Sequence, residues 1–221
     1  MQRFFDVLFS GLALVVVAPL LLPIMLILRL TGEGEVFYRQ ARIGLRGEHF
    51  ELLKFATMLK DSPNIGSGEI TLKEDPRILP FGKFLRKTKL NELPQLINIL
   101  KGDLSVVGPR PQVPNTFAQY PEAAKQDIGE VRPGLSGVGS IVFRDEERYL
   151  DAQQDPHAFY RDVIIPYKAE LEQWYVRNQS LRVYFEVILL TVWVILFSSS
   201  RMPWRVWKDL PELPAALSAD F

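Results

Sequence analysis

The chain has 221 residues, with 26 Lys plus Arg against 26 Asp plus Glu, so its formal net charge is zero and a general nucleic-acid binder with a basic surface is excluded. It has no cysteine, which excludes disulfide frameworks, thiol catalysis and cysteine-ligated zinc. Its two histidines, His49 and His157, cannot form a histidine-rich metal site. From Val7 to Leu28 the chain carries 22 residues without a charge, bounded by Asp6 and Arg29. About 20 apolar residues cross a bilayer, so this run is long enough. No small-residue cleavage signal follows it, so a secretory leader fits poorly. Pro19 and Pro23 lie inside the run, and a kink or break is expected at Ala18-Pro19. Either a kinked helix spans the membrane, or the chain enters, turns at the proline and leaves on the same side.

Val36 to Ile43 and Glu48 to Met58 read as a β-hairpin around Gly44-Leu45-Arg46-Gly47. Residues 62–68 (SPNIGSG) read as a loop. Leu93, Leu96, Ile97 and Leu100 recur at helical spacing, with Pro94 suited to the first turn and Gly102 to the end. Residues 109–114 and 132–139 read as irregular linkers or site loops, and a further helix is expected from about Val163 to Asn178. The apolar run Val187 to Phe197 is 11 residues, too short to span. Trp193, Trp204 and Trp207 near Arg201, Arg205 and Lys208 suit a helix lying in the membrane interface; the alternative is a core helix with a ragged end.

Residues 29–110 hold 14 basic and 10 acidic side chains, and 111–180 hold 7 and 11, so the first stretch is the place to look for a phosphate ligand. Segment 84–111, FLRKTKLNELPQLINILKGDLSVVGPRP, concentrates the chemistry. Arg86, Lys87 and Lys89 precede a predicted helix N-terminus, and Asn91 and Glu92 sit on it. A carboxylate among cations can bind a hard metal, most plausibly Mg²⁺, or attack phosphorus. Arg110, between two prolines, is a preorganised guanidinium suited to bidentate phosphate binding. Each residue also has a plain structural reading: Asn91 as a helix cap, Glu92 as a first-turn charge, the lysines as solvated, Arg110 as a partner of Asp103.

Taken together, RKTKLNELPQLINILKGDLSVVGPRP (86–111) and VRPGLSGVG (131–139) resemble the bacterial sugar transferases that are monotopic phosphoglycosyl transferases. Weaker matches are the Ala-Pro pair, FYRQARIG (37–44), LLKFATM (52–58), EDPRI (74–78) and WYVRN (174–178), so the likeness covers nearly the whole chain. It implies an α+β, mainly helical fold: a re-entrant membrane helix broken at Ala18-Pro19 (residues 1–31), a catalytic domain with a small β-hairpin (32–180), and an interfacial C-terminal helix and tail (181–221). It implies transfer of a phosphosugar from a UDP-sugar to undecaprenyl or another polyprenyl phosphate, releasing UMP, at the cytoplasmic face of the bacterial inner membrane. Mg²⁺ is the implied cofactor and membrane lipids are implied partners. Oligomeric state is open, with a homodimer the first arrangement to consider.

Family members are implied to use an Asp-Glu pair, the Asp attacking the donor β-phosphate and the Glu helping to hold Mg²⁺. Here the pair is Asn91-Glu92, and a carboxamide is a poor nucleophile. Three consequences are open: Glu92 is the nucleophile, the polyprenyl phosphate attacks the donor directly, or the chain is a catalytically weak membrane scaffold recruiting another glycan-assembly enzyme. The likeness also carries over Lys54, Arg86, Arg110 and Arg144 as substrate or phosphate ligands, and Glu172 where Asp is more common. A basic residue usual two places after Lys54 is Ala56, and the usual W-A-Q-V-N-G is VGSIVF at 138–143. The tail from Asp209 to Phe221 carries no functional signal.

Overall fold

The charge-free run forms α1, Gln2–Leu30, a helix long and apolar enough to cross a membrane, and only 11% of its most apolar window is buried by the rest of the protein. Such an apolar, exposed helix marks a membrane-associated protein. Helix is assigned through Ala18, Pro19 and Pro23 without interruption. The helix is therefore not broken at Ala18-Pro19, and a proline kink there leaves the helix assignment continuous. Each proline removes a backbone donor, a loss that apolar helices tolerate when neighbouring groups re-satisfy the freed carbonyl. This computed structural model describes residues 1–65, 75–144, 146–151, 153–197 and 201–220. They are mainly helical and fall into two compact units interleaved along the chain.

The first unit comprises Phe4–Ala41 and Glu51–Gly102. Ile24 and Leu28, on the last turns of α1, are buried with Phe55 and Leu85, and Leu21, Met25, Val36, Phe81 and Leu90 pack around them. The expected hairpin forms as β1 (Phe37–Ile43) and β2 (His49–Phe55). Its turn places Arg46 and Gly47 at φ 58° and 76°. Thr57 beyond β2 is the docking point for α2, Pro80–Lys87: Leu79 N donates to Thr57 O at 2.9 Å, and a Cβ at Gly82 would lie 2.2 Å from that oxygen. The approach requires glycine. A buried ion pair, Arg77 Nη2 to Asp75 Oδ2 at 2.5 Å, pins the preceding segment, since Arg77 Nη1 also donates to the carbonyls of Ser62 and Ile65. Of the predicted loop 62–68, Ser62–Asn64 is a single 3₁₀ turn and residues from 66 onward lie outside the described residues. The helix expected from Leu93 is α3, Gln95–Lys101, closed by Gly102 at φ 100°.

The second unit comprises Met1–Arg3, Arg42–Phe50 and Asp103–Phe221. Here β3 (Ser105–Val107) pairs in parallel with β4 (Gly134–Ser136), in the register Ser105–Gly134 and Val107–Ser136. The expectation that 132–139 is irregular is thus corrected: it contributes β4 and then α6, Val138–Val142. Glycine makes this pairing fit, because a Cβ at Gly134 would lie 2.0 Å from Gly108 N and one at Gly137 would lie 2.1 Å from Gly108 O. Short helices α4 (Pro114–Ala118), α5 (Glu122–Gly129), α7 (Glu146–Asp151) and α8 (Pro156–Phe159) lead to a π turn at Tyr160–Ile164. The turn runs straight into α9, Ile165–Arg177, the helix expected near 163–178. Tyr120, Ala124, Ile165 and Ala169 form a core between α5 and α9.

Helix α10, Leu181–Leu196, is capped by Ser180 and is longer than its apolar run suggested. Val183, Val187, Leu190 and Val194 bury one face of it, while Phe185, Leu189, Val192 and Leu196 expose another apolar face. Beyond α11 (Met202–Val206), Trp207 donates to Glu186 at 2.8 Å, Trp174 donates to Asp209 at 3.0 Å, and Leu210 and Leu217 are buried. The tail that carried no sequence signal is therefore built into the packing of α9, where Tyr167 also donates to Pro211 O at 2.9 Å.

Candidate active site

In the first unit, Lys54, Arg86, Asn91 and Glu92 are each next in sequence to a residue of one core cluster or one step beyond it. Lys54 precedes Phe55, Arg86 follows Leu85, and Asn91-Glu92 follow Leu90. That arrangement brings the four onto elements sharing a single rigid base. Arg86, on the last turn of α2, is half-buried, and its Nη1 lies 3.8 Å from Met58 Sδ. Thr88 closes α2 by donating to Phe84 O at 2.9 Å, and Lys89 turns the chain at φ 59°. The next residues form a 3₁₀ turn, Leu90–Glu92.

Asn91 does not cap a helix. It is 7% exposed, and its Oδ1 is buried without a hydrogen-bond partner. A buried acceptor lacking a donor costs about 1–3 kcal/mol. Such orphans call for a ligand or an ordered water. Glu92 beside it is half-buried and supplies a carboxylate on the same turn. Among the described residues no cluster of three or more His, Cys, Asp or Glu could hold a metal. The donor set of one carboxylate and one amide oxygen suits Mg²⁺, which is commonly bound by one or two protein oxygens together with substrate phosphates.

In the second unit, the Pro-Arg-Pro segment is fixed from several sides. Arg110 N donates to Glu172 Oε1 at 3.1 Å, and Gln112 Nε2 donates to Arg110 O at 3.2 Å. From the hairpin tip, Arg42 Nη1 donates to Pro111 O at 2.9 Å and Ile43 N donates to Gln112 O at 3.0 Å. The backbone is held throughout while the Arg110 side chain is exposed. The two prolines and these bonds fix the backbone from which the exposed guanidinium extends.

Glu172, proposed from the sequence as a substrate or phosphate ligand, is 2% exposed, with its bonded oxygen on backbone and its Oε2 unpartnered. Burial pushes its carboxyl up to about 7, against the lowering effect of the Arg110 N–H, Lys168 and Arg110. Tyr120, buried nearby, is pushed well up by burial and by the charge of Glu172. Lys168, also buried, pairs with Glu146 at 2.5 Å and lies 5.1 and 5.2 Å from the ring centroids of Phe143 and Tyr160. Arg144 follows the buried Phe143 at the end of α6 and is half-buried. Asp145, within the acidic run 144–148, lies outside the described residues.

Sequence reasoning missed Arg42, Gln112 and Gly139. Arg42 was visible only as part of FYRQARIG, and nothing in that pattern ties it to Pro111, 69 positions further along the chain. Asn98 was also missed; it sits on the buried side of α3 and bonds β2 from within the first unit.

The bacterial sugar transferase family matches residues 1–198, and the chain belongs to that family. One relative is the exopolysaccharide production protein ExoY of Rhizobium meliloti, 36% identical over 187 residues, covering 76% of this chain and 82% of that protein. Another is the UDP-glucose:undecaprenyl-phosphate glucose-1-phosphate transferase of Klebsiella pneumoniae, 32% identical over 194 residues, covering 86% of this chain and 39% of that protein. A third is the undecaprenyl-phosphate galactose phosphotransferase of Salmonella typhimurium, 30% identical over 211 residues, covering 89% of this chain and 40% of that protein. The chain spans about two fifths of the last two.

Proposed function

We propose that this protein transfers a sugar phosphate from a UDP-sugar to undecaprenyl phosphate at the membrane surface, releasing UMP, as the first membrane step of a surface polysaccharide. The observation that carries this reading is the Leu90–Glu92 turn, where a carboxylate stands beside a buried amide oxygen in want of a ligand, on the same core base as Arg86 and Lys54. The scaffold alternative has less behind it, since relatives bear transferase names and a scaffold has no need of a clamped, exposed arginine such as Arg110.

In this reading Glu92 is the nucleophile. Its carboxylate oxygen forms a bond to the donor β-phosphorus while the bond from that phosphorus to the bridging oxygen breaks, and UMP departs with the electron pair. A phosphate oxygen of the lipid then forms a bond to the same phosphorus, and the Glu92 carboxylate is released unchanged. Asn91 orients Glu92 and offers Oδ1 as a metal ligand. Glu92 and Asn91 are the residues that would hold Mg²⁺, whose contribution is to neutralise phosphate charge. Arg86, Lys54, Arg110 and Arg144 bind phosphate oxygens, chemistry in which positioning and charge neutralisation dominate.

Gln2 Nε2 donates to Ser105 Oγ and to Val107 O, both at 2.9 Å, within the second unit. Ile24 and Leu28 are packed within the first. We read α1 as re-entrant, with Ala18-Pro19 as its turning point, and α10 as interfacial, its exposed apolar face meeting lipid. The side is the cytoplasmic one, where a nucleotide sugar is available.

The test supplies the purified protein with undecaprenyl phosphate, Mg²⁺ and a panel of UDP-sugars, and measures UMP. Lipid-dependent UMP release by the wild type, lost in Glu92→Gln, is expected. Turnover only in Asn91→Asp would overturn the reading in favour of a disarmed scaffold.

A further inference from the structure

We infer that Glu172 is a positioning residue, wedged against the bare backbone of Gly139 so that its carboxylate fixes the Arg110 amide and aims the Arg110 guanidinium at ligand phosphate. The inference rests on the reading above in taking Arg110 as a phosphate ligand.

Within the second unit, Glu172 Oε1 makes two close approaches. It accepts the Arg110 N–H at 3.1 Å, and it lies 2.5 Å from where a Cβ at Gly139 would stand, with Cδ at 3.1 Å. Real side chains do not come this close, so alanine at 139 cannot coexist with the carboxylate where it is. Gly139 does not adopt a left-handed φ, so its glycine is required by space and not by backbone conformation. Arg110 lies between two prolines, and its N–H is the sole backbone donor of the Pro109–Pro111 segment, because proline has none. Bonding that one donor to a fully buried carboxylate removes the remaining freedom of the segment. The guanidinium stays exposed. Glu172 is buried from solvent with its Oε1 on the Arg110 amide, and it acts through Arg110.

Glu172 and Gly139 therefore form one coupled unit. Shortening Glu172 to Asp withdraws the carboxylate by one methylene, loosening the Arg110 bond and opening the space over residue 139. Adding a methyl at 139 pushes the carboxylate off the amide. Making both changes puts the methyl into the space the shorter side chain vacates, a volume-conserving exchange. Residues in direct contact are expected to show such non-additivity.

The experiment measures UDP affinity in the presence of Mg²⁺, thermal midpoint and UMP release for full-length protein in detergent. Glu172→Asp and Gly139→Ala are each expected to weaken UDP binding by about tenfold, and the double variant to return within about threefold of wild type. Glu172→Gln, which retains the acceptor and the length, is expected to stay within about threefold. In an Arg110→Ala background the Glu172→Asp change is expected to cost no further affinity. Additive losses in the double variant would overturn the coupling. A full further loss in the Arg110→Ala background would overturn the positioning role, whatever the thermal midpoints do. A wild type that binds UDP but releases no UMP from any UDP-sugar would defeat the transferase reading while leaving these affinity comparisons to decide the inference. Should Gly139→Ala fail to fold, the Glu172→Asp pair with and without Arg110 decides it alone.

Discussion

The side chain of Asn98 completes the edge of β2 at Leu53: its Oδ1 accepts the Leu53 N–H at 2.9 Å, and its Nδ2 donates to Glu51 O at 2.8 Å. One amide thus replaces a missing strand partner on the residue immediately before Lys54, and ties β2 to α3. Asn98 is 1% exposed. Asn98→Ala leaves the part-buried Leu53 N–H and Glu51 carbonyl without this partner, and a loss of about 2 kcal/mol is expected. Asn98→Asp keeps the acceptor but cannot donate to Glu51, and falls between the two. Thermal or denaturant unfolding checks the order.

Glu92 sits beside the unpartnered Asn91 Oδ1 on one turn, and in the proposed mechanism it is the nucleophile with Asn91 as its orienting group. Glu92→Gln removes the nucleophile while keeping the shape, and turnover is expected to fall by at least about a hundredfold. A wild-type sample quenched with UDP-sugar before lipid is added should carry a phosphosugar on the peptide containing Glu92, read by mass spectrometry. Direct attack by lipid phosphate would leave that peptide unmodified even though UMP is released with lipid present.

The pieces of this site that repeat a local pattern were legible in the sequence. The hairpin around Gly44–Gly47, α3 between Pro94 and Gly102, and the stiff Pro-Arg-Pro segment all follow from turn chemistry and helical spacing. What the sequence did not yield are pairings between distant residues. Glu172 in place of Asp and VGSIVF at 138–143 read as separate departures, and only the structure shows that Gly139 and the Glu172 carboxylate are in close approach. Residues 132–139 read as irregular because their glycines suit loops equally well; only the close approach of Gly108 reveals that they serve a parallel strand pair. A cap was the plain alternative for Asn91 because capping is a local property, whereas its lack of a partner is a property of the packed unit.

The raised Glu172 pKa makes stability depend on pH. Its carboxyl titrates near 7 when folded and near 4.5 when not. A group raised on folding contributes its stabilisation fully below the unfolded value and loses it as pH climbs through the folded value. Wild-type stability should therefore fall between about pH 4.5 and 7 and level off above, by at most about 3 kcal/mol. The groups set against it are the Arg110 N–H and guanidinium and Lys168, which lower its pKa, while Tyr120 is neutral throughout this range. Glu172→Gln has no such proton, so its unfolding midpoint should lack this slope and gain on wild type from pH 5 to pH 8. Parallel profiles for the two proteins would show that Glu172 is ionised across the range.

The absence of cysteine makes the topology of α1 directly testable, since a single introduced thiol is a unique label. Arg3→Cys marks the N-terminal end, and Thr31→Cys marks the chain just beyond Leu30. A 29-residue helix is about 43 Å long, more than a bilayer core of about 30 Å, so length alone allows a span. Under the proposed re-entrant arrangement both ends of α1 lie on the cytoplasmic side. A membrane-impermeant maleimide is therefore expected to label both thiols in inverted inner-membrane vesicles and neither in intact spheroplasts, while Val16→Cys, exposed on the apolar surface near Pro19, stays protected in both. Labelling of Arg3→Cys only from outside and Thr31→Cys only from inside would establish a spanning helix and overturn the re-entrant reading.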